Sequence, residues 1–298
     1  MTESHYRGRF APSPTGALHF GSLVAAMASF ADARSHHGDW LVRIDDVDET
    51  RCRHGADAQI LRTLQCFGMQ WDEPPIRQSE RRLRYAEAID RLVRGGGAFR
   101  CSCSRKDVAE AGIEGVEGPI YPGTCRRNPP RAGVKAAWRA AVTDRDIVVL
   151  DRVIGGIEQN LAAQVGDFVV MRIDGFTAYQ LAVVVDDHDQ RITDVVRGAD
   201  LLWSTPRQYW LQDALGYAHP RYAHVPLVYA GDGNKLSKRD DAFPVNEHDP
   251  VASLLAGWRH LGQAAPADRP RSASDFWQWA VPRWRIEQVP KDPRCLHE

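Results

Sequence analysis

Apolar side chains along this chain switch repeatedly between the period of a strand and the period of a helix. Tyr6–Ala11, Leu41–Ile44 and Phe99–Cys101 read as short strands. Between them, residues 18–34, 53–67 and 79–94 carry the helical spacing, and the last of these stops at Gly95-Gly96-Gly97. Strands alternating with helices predict an α/β core with a parallel sheet and crossover connections. From Phe99 to Gly175 the texture changes to cysteines, prolines and glycines, followed by β-rich runs at Asp146–Leu150 and Asp167–Ile173. This stretch reads as an insertion between two halves of the core. The alternation then resumes with a helix over Phe176–Asp187, a strand over Ile192–Val196, a helix over Thr205–Leu215 and a strand over Val225–Tyr229. From Pro250 onward the pattern is helical, and Trp258, Trp277, Trp279 and Trp284 are expected to pack onto the body. The resulting division is 1–97, 98–175, 176–245 and 246–298, with no internal repeat and no low-complexity tract.

A chain of 298 residues that is 43% hydrophobic can bury a substantial core. Its net charge of −1 excludes a strongly basic coat, so RNA contact must come from local patches. One candidate runs from Arg77 to Arg94, with Arg81, Arg82, Arg84, Arg91 and Arg94; Lys135–Arg152 is a weaker one. Either also reads as an ordinary solvated face. The longest early apolar run, Leu23–Ala31, is interrupted by serine and too short to span a membrane. Six cysteines in a chain this long make no disulfide scaffold. A reducing cytoplasm, with no membrane association, is the expected setting.

Two distant segments carry the chemistry. Near the N-terminus, Arg9-Phe10-Ala11-Pro12-Ser13-Pro14-Thr15-Gly16 leads through a forced turn into a helix, with His19-Phe20-Gly21-Ser22 at the join. A helix opening of this kind presents unpaired N–H groups and the positive end of its dipole to a phosphate. Gly21 leaves room for a nucleotide, and His19 can donate to a phosphate oxygen. More than two hundred residues later, Lys235-Leu236-Ser237-Lys238-Arg239 follows the loop Gly231-Asp232-Gly233-Asn234. Its two ammonium groups suit a departing pyrophosphate. In isolation, the first segment would pass as a proline-rich turn and the second as a solvated basic loop.

Together the segments resemble the HIGH and KMSKS signatures of class I aminoacyl-tRNA synthetases, here as HFGS and KLSKR. Arg9–Gly16, Arg43-Ile44-Asp45-Asp46-Val47-Asp48, Val196-Arg197-Gly198-Ala199-Asp200 and Thr205-Pro206-Arg207-Gln208 are similar to the glutamyl/glutaminyl branch of that family. The similarity runs from Tyr6 to Asp240. It implies a Rossmann-like α/β catalytic core with a parallel sheet, an inserted zinc-containing subdomain and a short helical C-terminal region. It also implies that Arg9, Phe10, Ala11, Pro12, Ser13, Asp45, Tyr179 and Arg197 bind glutamate, and that His19, Gly21 and Lys238 bind ATP. Arg9 and Arg197 suit the two carboxylates as arginine forks, and Asp45 suits the ammonium. Asp45 departs from the Glu usual in the Arg-Ile-Glu-Asp run, so its ammonium contact is expected to be longer or water-bridged, with Asp46 as an alternative. Asp186-Asp187-His188 admits a metal or acid–base reading, but a structural role at a helix end is preferred.

Cys101, Cys103 and Cys125 place three thiols within twenty-five residues, a credible set for tetrahedral zinc, although C-x-C is looser evidence than paired C-x₂-C. No histidine occurs between His54 and His188, so a local fourth ligand must be oxygen. The family resemblance supplies Tyr121. The ion is expected to be structural; three unrelated buried thiols are the simpler alternative, and Cys52, Cys66 and Cys295 carry no signal.

The implied reaction has two steps. The α-carboxylate of glutamate attacks the α-phosphate of ATP, giving glutamyl-adenylate and releasing pyrophosphate, with Mg²⁺ on the triphosphate and with His19, Lys235 and Lys238 stabilising the transferring charge. An acceptor hydroxyl, on the queuosine base, then attacks the mixed anhydride and releases AMP. Fewer than sixty residues follow the lysine segment, too few for the family's helical anticodon-binding region. The resemblance therefore points to a truncated paralogue, a monomer that transfers glutamate to queuosine in the anticodon loop of tRNA(Asp). A truncated conventional glutamyl-tRNA synthetase, a small-molecule adenylate-forming ligase and a catalytically silent RNA-binding paralogue are the rival readings.

Overall fold

The computed structural model of the protein describes residues 5–112, 114–116, 118–229 and 245–296. The first half of the core comprises β1 (Arg7–Phe10), α1 (Phe20–Ser35), β2 (Asp39–Ile44), α2 (Ala56–Cys66), β3 (Ile76–Arg77) and α3 (Arg82–Arg94). The residues of β2 are almost all buried, as expected for a strand covered on both faces. Helix α1 starts at Phe20 rather than at residue 18, because His19 is its cap. It ends where His37 enters the left-handed region (φ 53°) and the chain doubles back to β2. Gly38 makes that return possible, since a Cβ there would sit 2.4 Å from the Tyr6 carbonyl oxygen. The helical pattern at 79–94 divides into a 3₁₀ turn, Gln78–Arg81, and α3.

The middle of the chain contributes β4 (Ala98–Cys101), α4 (Arg105–Ala111), the small hairpin β5 (Glu114–Gly115) and β6 (Gly118–Pro119), α5 (Thr124–Arg127) and β7 (Ala137–Ala140). There follow β8 (Asp146–Asp151), β9 (Gly155–Asn160), α6 (Leu161–Gln164) and β10 (Val169–Met171). The β-rich run expected over Asp167–Ile173 is thus only three residues of strand. Strands β10, β7 and β4 form a separate antiparallel sheet, so the Phe99–Cys101 strand does not join the main one.

The second half of the core is α7 (Tyr179–Asp189), β11 (Asp194–Gly198), α8 (Thr205–Leu215), β12 (Arg221–Val225) and β13 (Leu227–Tyr229). Helix α7 and strand β11 each begin two or three residues later than their patterns suggest. The strand expected over Val225–Tyr229 is two strands. Pro226 has no N–H to continue the ladder, so β12 ends at Val225, while β13 pairs with β14 (Arg294–Leu296). The main sheet has the order β3-β2-β1-β11-β12-β8-β9. Its pairings are parallel except for the β8–β9 hairpin, which extends the edge. The order reverses between β1 and β11, where an open α/β sheet forms a crevice beyond its strand ends.

Helices α9 (Pro250–His260) and α10 (Ala273–Ala280) close the chain onto α1. Trp258 meets Phe276 edge to face with centroids 5.6 Å apart. Trp277 donates to the Phe67 carbonyl at 2.8 Å, and Trp284 to the buried Asp32 carboxylate at 3.0 Å. Burying a side chain such as Phe276 stabilises by roughly 1.5–3 kcal/mol, and the hydrogen-bonded indoles of Trp277 and Trp284 add specificity. No helix among the described residues is long and apolar enough to cross a membrane.

Candidate active site

A cavity of about 300 Å³ opens at the C-terminal end of β1 and the N-terminus of α1. Arg9, Phe10, Ala11, Pro12 and Ser13 line one wall, and His19 and Gly21 stand at the helix opening. Tyr179 and Arg197 complete the opposite side, so residues separated by some 190 positions share one space. Asp45 lies outside this lining. Lys235 and Lys238 fall outside the described residues.

His19 caps α1: its Nδ1 accepts from the Ser22 amide at 3.1 Å, and its Nε2 lies 2.9 Å from Ser22 Oγ. A Cβ at Gly21 would come within 3.3 Å of the imidazole ring, so a side chain there would press the ring aside by a few tenths of an ångström. The helix opening therefore combines backbone N–H groups, a dipole end and an imidazole in one place, the arrangement that receives phosphate.

Beneath the cavity runs a buried charge network. Asp187 on α7 receives Arg9 through Nε and Nη2 at 3.2 and 3.3 Å, and Arg43 Nη1 at 2.6 Å. Burial alone would push its carboxyl up, but the two guanidinium groups outweigh that and hold it below the usual range. Asp186 accepts from Arg81, Gln78 and Tyr85 at 2.6 to 2.9 Å. These two aspartates therefore orient arginines, which is more than the helix-end role inferred for them. Asp45 is turned toward Arg43, whose Nε donates to it at 2.7 Å. Its carboxyl is pushed up to about 6 by burial, with Arg43 opposing. Both carboxylate oxygens of Asp46, the alternative ammonium partner, are engaged by Ser79 at 2.8 and 2.7 Å.

Arg197 is 5% exposed and is clamped along one edge. Its Nε donates to His224 Nε2 at 3.0 Å, and its Nη2 donates to Thr205 Oγ1 at 2.9 Å and to the Leu201 carbonyl at 3.3 Å. Among the described residues its Nη1, although buried, has no hydrogen-bond partner. A buried donor left open on a cavity-lining arginine marks the place of an acceptor, and a carboxylate suits it best. Tyr179 stands across the cavity, and burial raises its phenol, with Arg197 opposing.

The three thiols converge as well. The Sγ atoms of Cys101, Cys103 and Cys125 lie within 4.8 Å of one another, and the Tyr121 hydroxyl is 3.4 Å from Cys101 Sγ and 3.9 Å from Cys103 Sγ. Three sulfurs and one oxygen around a common centre fit a tetrahedral zinc site. These residues also form their own small core with Val108, so the ion would tie β4 to α5. The basic patch on α3 and the 3₁₀ turn before it is less free than its sequence suggests. Arg81 and Arg84 pair with Asp189, Arg82 pairs with Glu49, and Arg91 donates to the Leu215 carbonyl.

A largely parallel sheet with an open helix N-terminus and buried arginines at its switch point is the architecture of a class I tRNA synthetase catalytic domain. Residues 5–256 match the family "tRNA synthetases class I (E and Q), catalytic domain", and the chain belongs to that family of ligases. Within it, the chain is 50% identical to the glutamyl-Q tRNA(Asp) synthetase of Dechloromonas aromatica, with 98% of each chain covered. It is 49% identical to the enzyme of the same name from Pseudomonas aeruginosa, covering 98% of this chain and 97% of the other. Among solved structures, it is similar to a glutamate tRNA ligase from Elizabethkingia meningosepticum in complex with its amino acid. That match has a TM-score of 0.82 and 27% identity, over 99% of this chain and 67% of the other.

Proposed function

We propose that the protein activates L-glutamate with ATP and transfers it to queuosine in the anticodon loop of tRNA(Asp). The observation that carries this reading is the open Nη1 of buried Arg197 in the same cavity as the α1 opening. A carboxylate receptor and a phosphate receptor side by side suit the attack of an amino-acid carboxylate on the α-phosphate of ATP. Arg197 and Arg9 take the carboxylates, Tyr179 walls the substrate, and Ser13 offers a hydroxyl. Asp45 reaches the ammonium through water, since Arg43 already engages it. His19 Nε2 donates to the reacting phosphate, with Lys235 and Lys238 assisting. Mg²⁺ on the triphosphate, when bound, neutralises part of its charge. Zinc, when held by Cys101, Cys103, Tyr121 and Cys125, fixes local structure.

The shared name of close, nearly full-length relatives supports queuosine in tRNA(Asp) as the acceptor. The setting is cytoplasmic and the active species a monomer. The decisive experiment is transfer of labelled glutamate, with ATP, to tRNA(Asp) containing queuosine, beside unmodified tRNA(Asp) and tRNA(Glu). Label on the queuosine-containing RNA alone upholds the proposal. Label on tRNA(Glu) identifies a conventional synthetase activity instead, and glutamate-dependent pyrophosphate exchange without any transfer moves the search to another acceptor.

A further inference from the structure

Three residues from three adjacent parallel strands meet beneath the glutamate side of the cavity. Arg197 on β11 lies in register with His224 on β12, and Asp151 closes β8 beside Tyr222 of β12. His224 Nδ1 is 2.7 Å from Asp151 Oδ2, while its Nε2 is 3.0 Å from Arg197 Nε. An arginine Nε–H can only donate, so His224 Nε2 must be the acceptor and its proton must sit on Nδ1. That proton then points at Asp151. Asp151 is itself held, its Oδ1 accepting from the amides of Val153 and Ile154 at 2.9 Å. The order carboxylate, neutral imidazole, guanidinium is thus fixed by the donors and acceptors alone.

We propose that Asp151 and His224 are positioning residues that hold the Arg197 guanidinium with its Nη1 edge presented to the glutamate carboxylate. The proposal rests on the assignment of Arg197 to glutamate made above. Neither residue is among those that line the cavity. Their effect runs through Arg197, whose other hydrogen bonds go to Thr205 and the Leu201 carbonyl from its Nη2, and whose guanidinium lies 5.2 Å from the centre of the Tyr222 ring. Without the Nε anchor the guanidinium can rotate about its last side-chain torsion, and the fork no longer faces the carboxylate in one orientation. A neutral imidazole is the right partner for this task. It supplies an acceptor without neutralising Arg197, so the cation's full charge remains available to the substrate.

The two hydrogen bonds of His224 can be separated by substitution. His224→Asn retains a donor near the Nδ1 position for Asp151 and loses the acceptor for Arg197. His224→Gln retains an acceptor near the Nε2 position for Arg197 and loses the donor to Asp151. The readouts are KM for glutamate and for ATP in pyrophosphate exchange, glutamate Kd by calorimetry, and the thermal midpoint. The expected result is a rise of about ten- to a hundred-fold in glutamate KM and Kd for His224→Asn, the scale of one lost charge-assisted hydrogen bond. ATP KM stays within about threefold, and His224→Gln restores most of the glutamate affinity at a similar midpoint. Glutamate constants that shift equally in both variants, or in proportion to the midpoint alone, overturn the positioning role. So does a glutamate KM unchanged in both variants. A wild-type protein that neither binds glutamate nor catalyses glutamate-dependent exchange overturns the functional reading itself, and the positioning role with it.

Discussion

Both ring nitrogens of His19 face Ser22, Nδ1 toward its amide at 3.1 Å and Nε2 toward its hydroxyl at 2.9 Å. Accepting the amide places the neutral ring's proton on Nε2, which can donate to the serine hydroxyl or to a phosphate oxygen. His19 therefore caps a helix and can donate to substrate at once, and the two tasks separate on substitution. His19→Asn keeps a capping oxygen but lacks the Nε2–H. Glutamate-dependent pyrophosphate exchange is expected to fall by about a hundredfold, the scale of a lost transition-state donor. His19→Ala should lose as much activity and also about 1 kcal/mol of stability with the cap. Exchange kinetics and a denaturant titration read the two effects independently.

Asp187 is the sole carboxylate bonded to both Arg9 and Arg43 among the described contacts. Asp187→Asn leaves two buried cations short of compensation. A loss of about 3–5 kcal/mol is expected, as when one partner of a buried pair is removed. Glutamate KM should rise more than ATP KM, because Arg9 loses its bidentate anchor while the helix opening is untouched. Equilibrium unfolding measures the first effect. A parallel determination of both Michaelis constants measures the second.

The turn from Arg9 to Gly21 was legible because its parts are local: two prolines and a glycine dictate a turn and a helix within a dozen residues, although the cap at His19, which the sequence did not announce, moves the helix start to Phe20. The relation of Arg197 to His224 and Asp151 was not, since it depends on the register of β11, β12 and β8. In the sequence, His224 is one histidine in an apolar strand and Asp151 one acid at a strand end. The same holds for Asp186 and Asp187, whose partners on β1, on β2 and in the 3₁₀ turn before α3 are brought close only by the packing of α7. The break at Pro226 had a local signal, the missing N–H, which the apolar run around it obscured. The thiol cluster lies between these cases. Its spacing suggested a site, but the convergence of Cys125 on Cys101 and Cys103 required α5 to fold back beside β4.

Zinc at that cluster gives a stoichiometric prediction. Protein prepared without chelator should contain about one zinc per chain, and Cys103→Ser should lose most of it, since a hydroxyl is a poor replacement for a thiolate ligand. Removing the ion with chelator should lower the thermal midpoint, by about 2–4 °C for each kcal/mol of stability lost. Re-addition of zinc should restore it in the wild type only. Elemental analysis and thermal melts of the same preparations provide the check.

The pH dependence of stability carries the signature of His224. Burial pushes its imidazole down to about 4, with Asp151 opposing. The folded-state value lies below that of the unfolded chain, near 6.5, so the folded protein resists protonating this group. The stability linked to neutral His224 is fully present above the unfolded value and is lost as pH falls from about 6.5 toward 4. Asp151 acts in the same direction at lower pH: burial pushes its carboxyl up, but His224 and the Val153 and Ile154 amides outweigh that and hold it below the ordinary 3.8, so its contribution is lost only below that value. Asp45 acts in the opposite direction over part of this range. Its folded value of about 6 exceeds the ordinary carboxyl value of 3.8, so its protonation on acidification favours the folded state. The wild-type profile therefore mixes both signs, and the informative quantity is the difference between wild type and His224→Gln. Unfolding free energies from urea titrations at pH 7.5, 6, 5 and 4, roughly spanning the window, should converge between the two proteins as pH falls. A gap that stays constant across the range would show that His224 does not remain neutral in the folded protein.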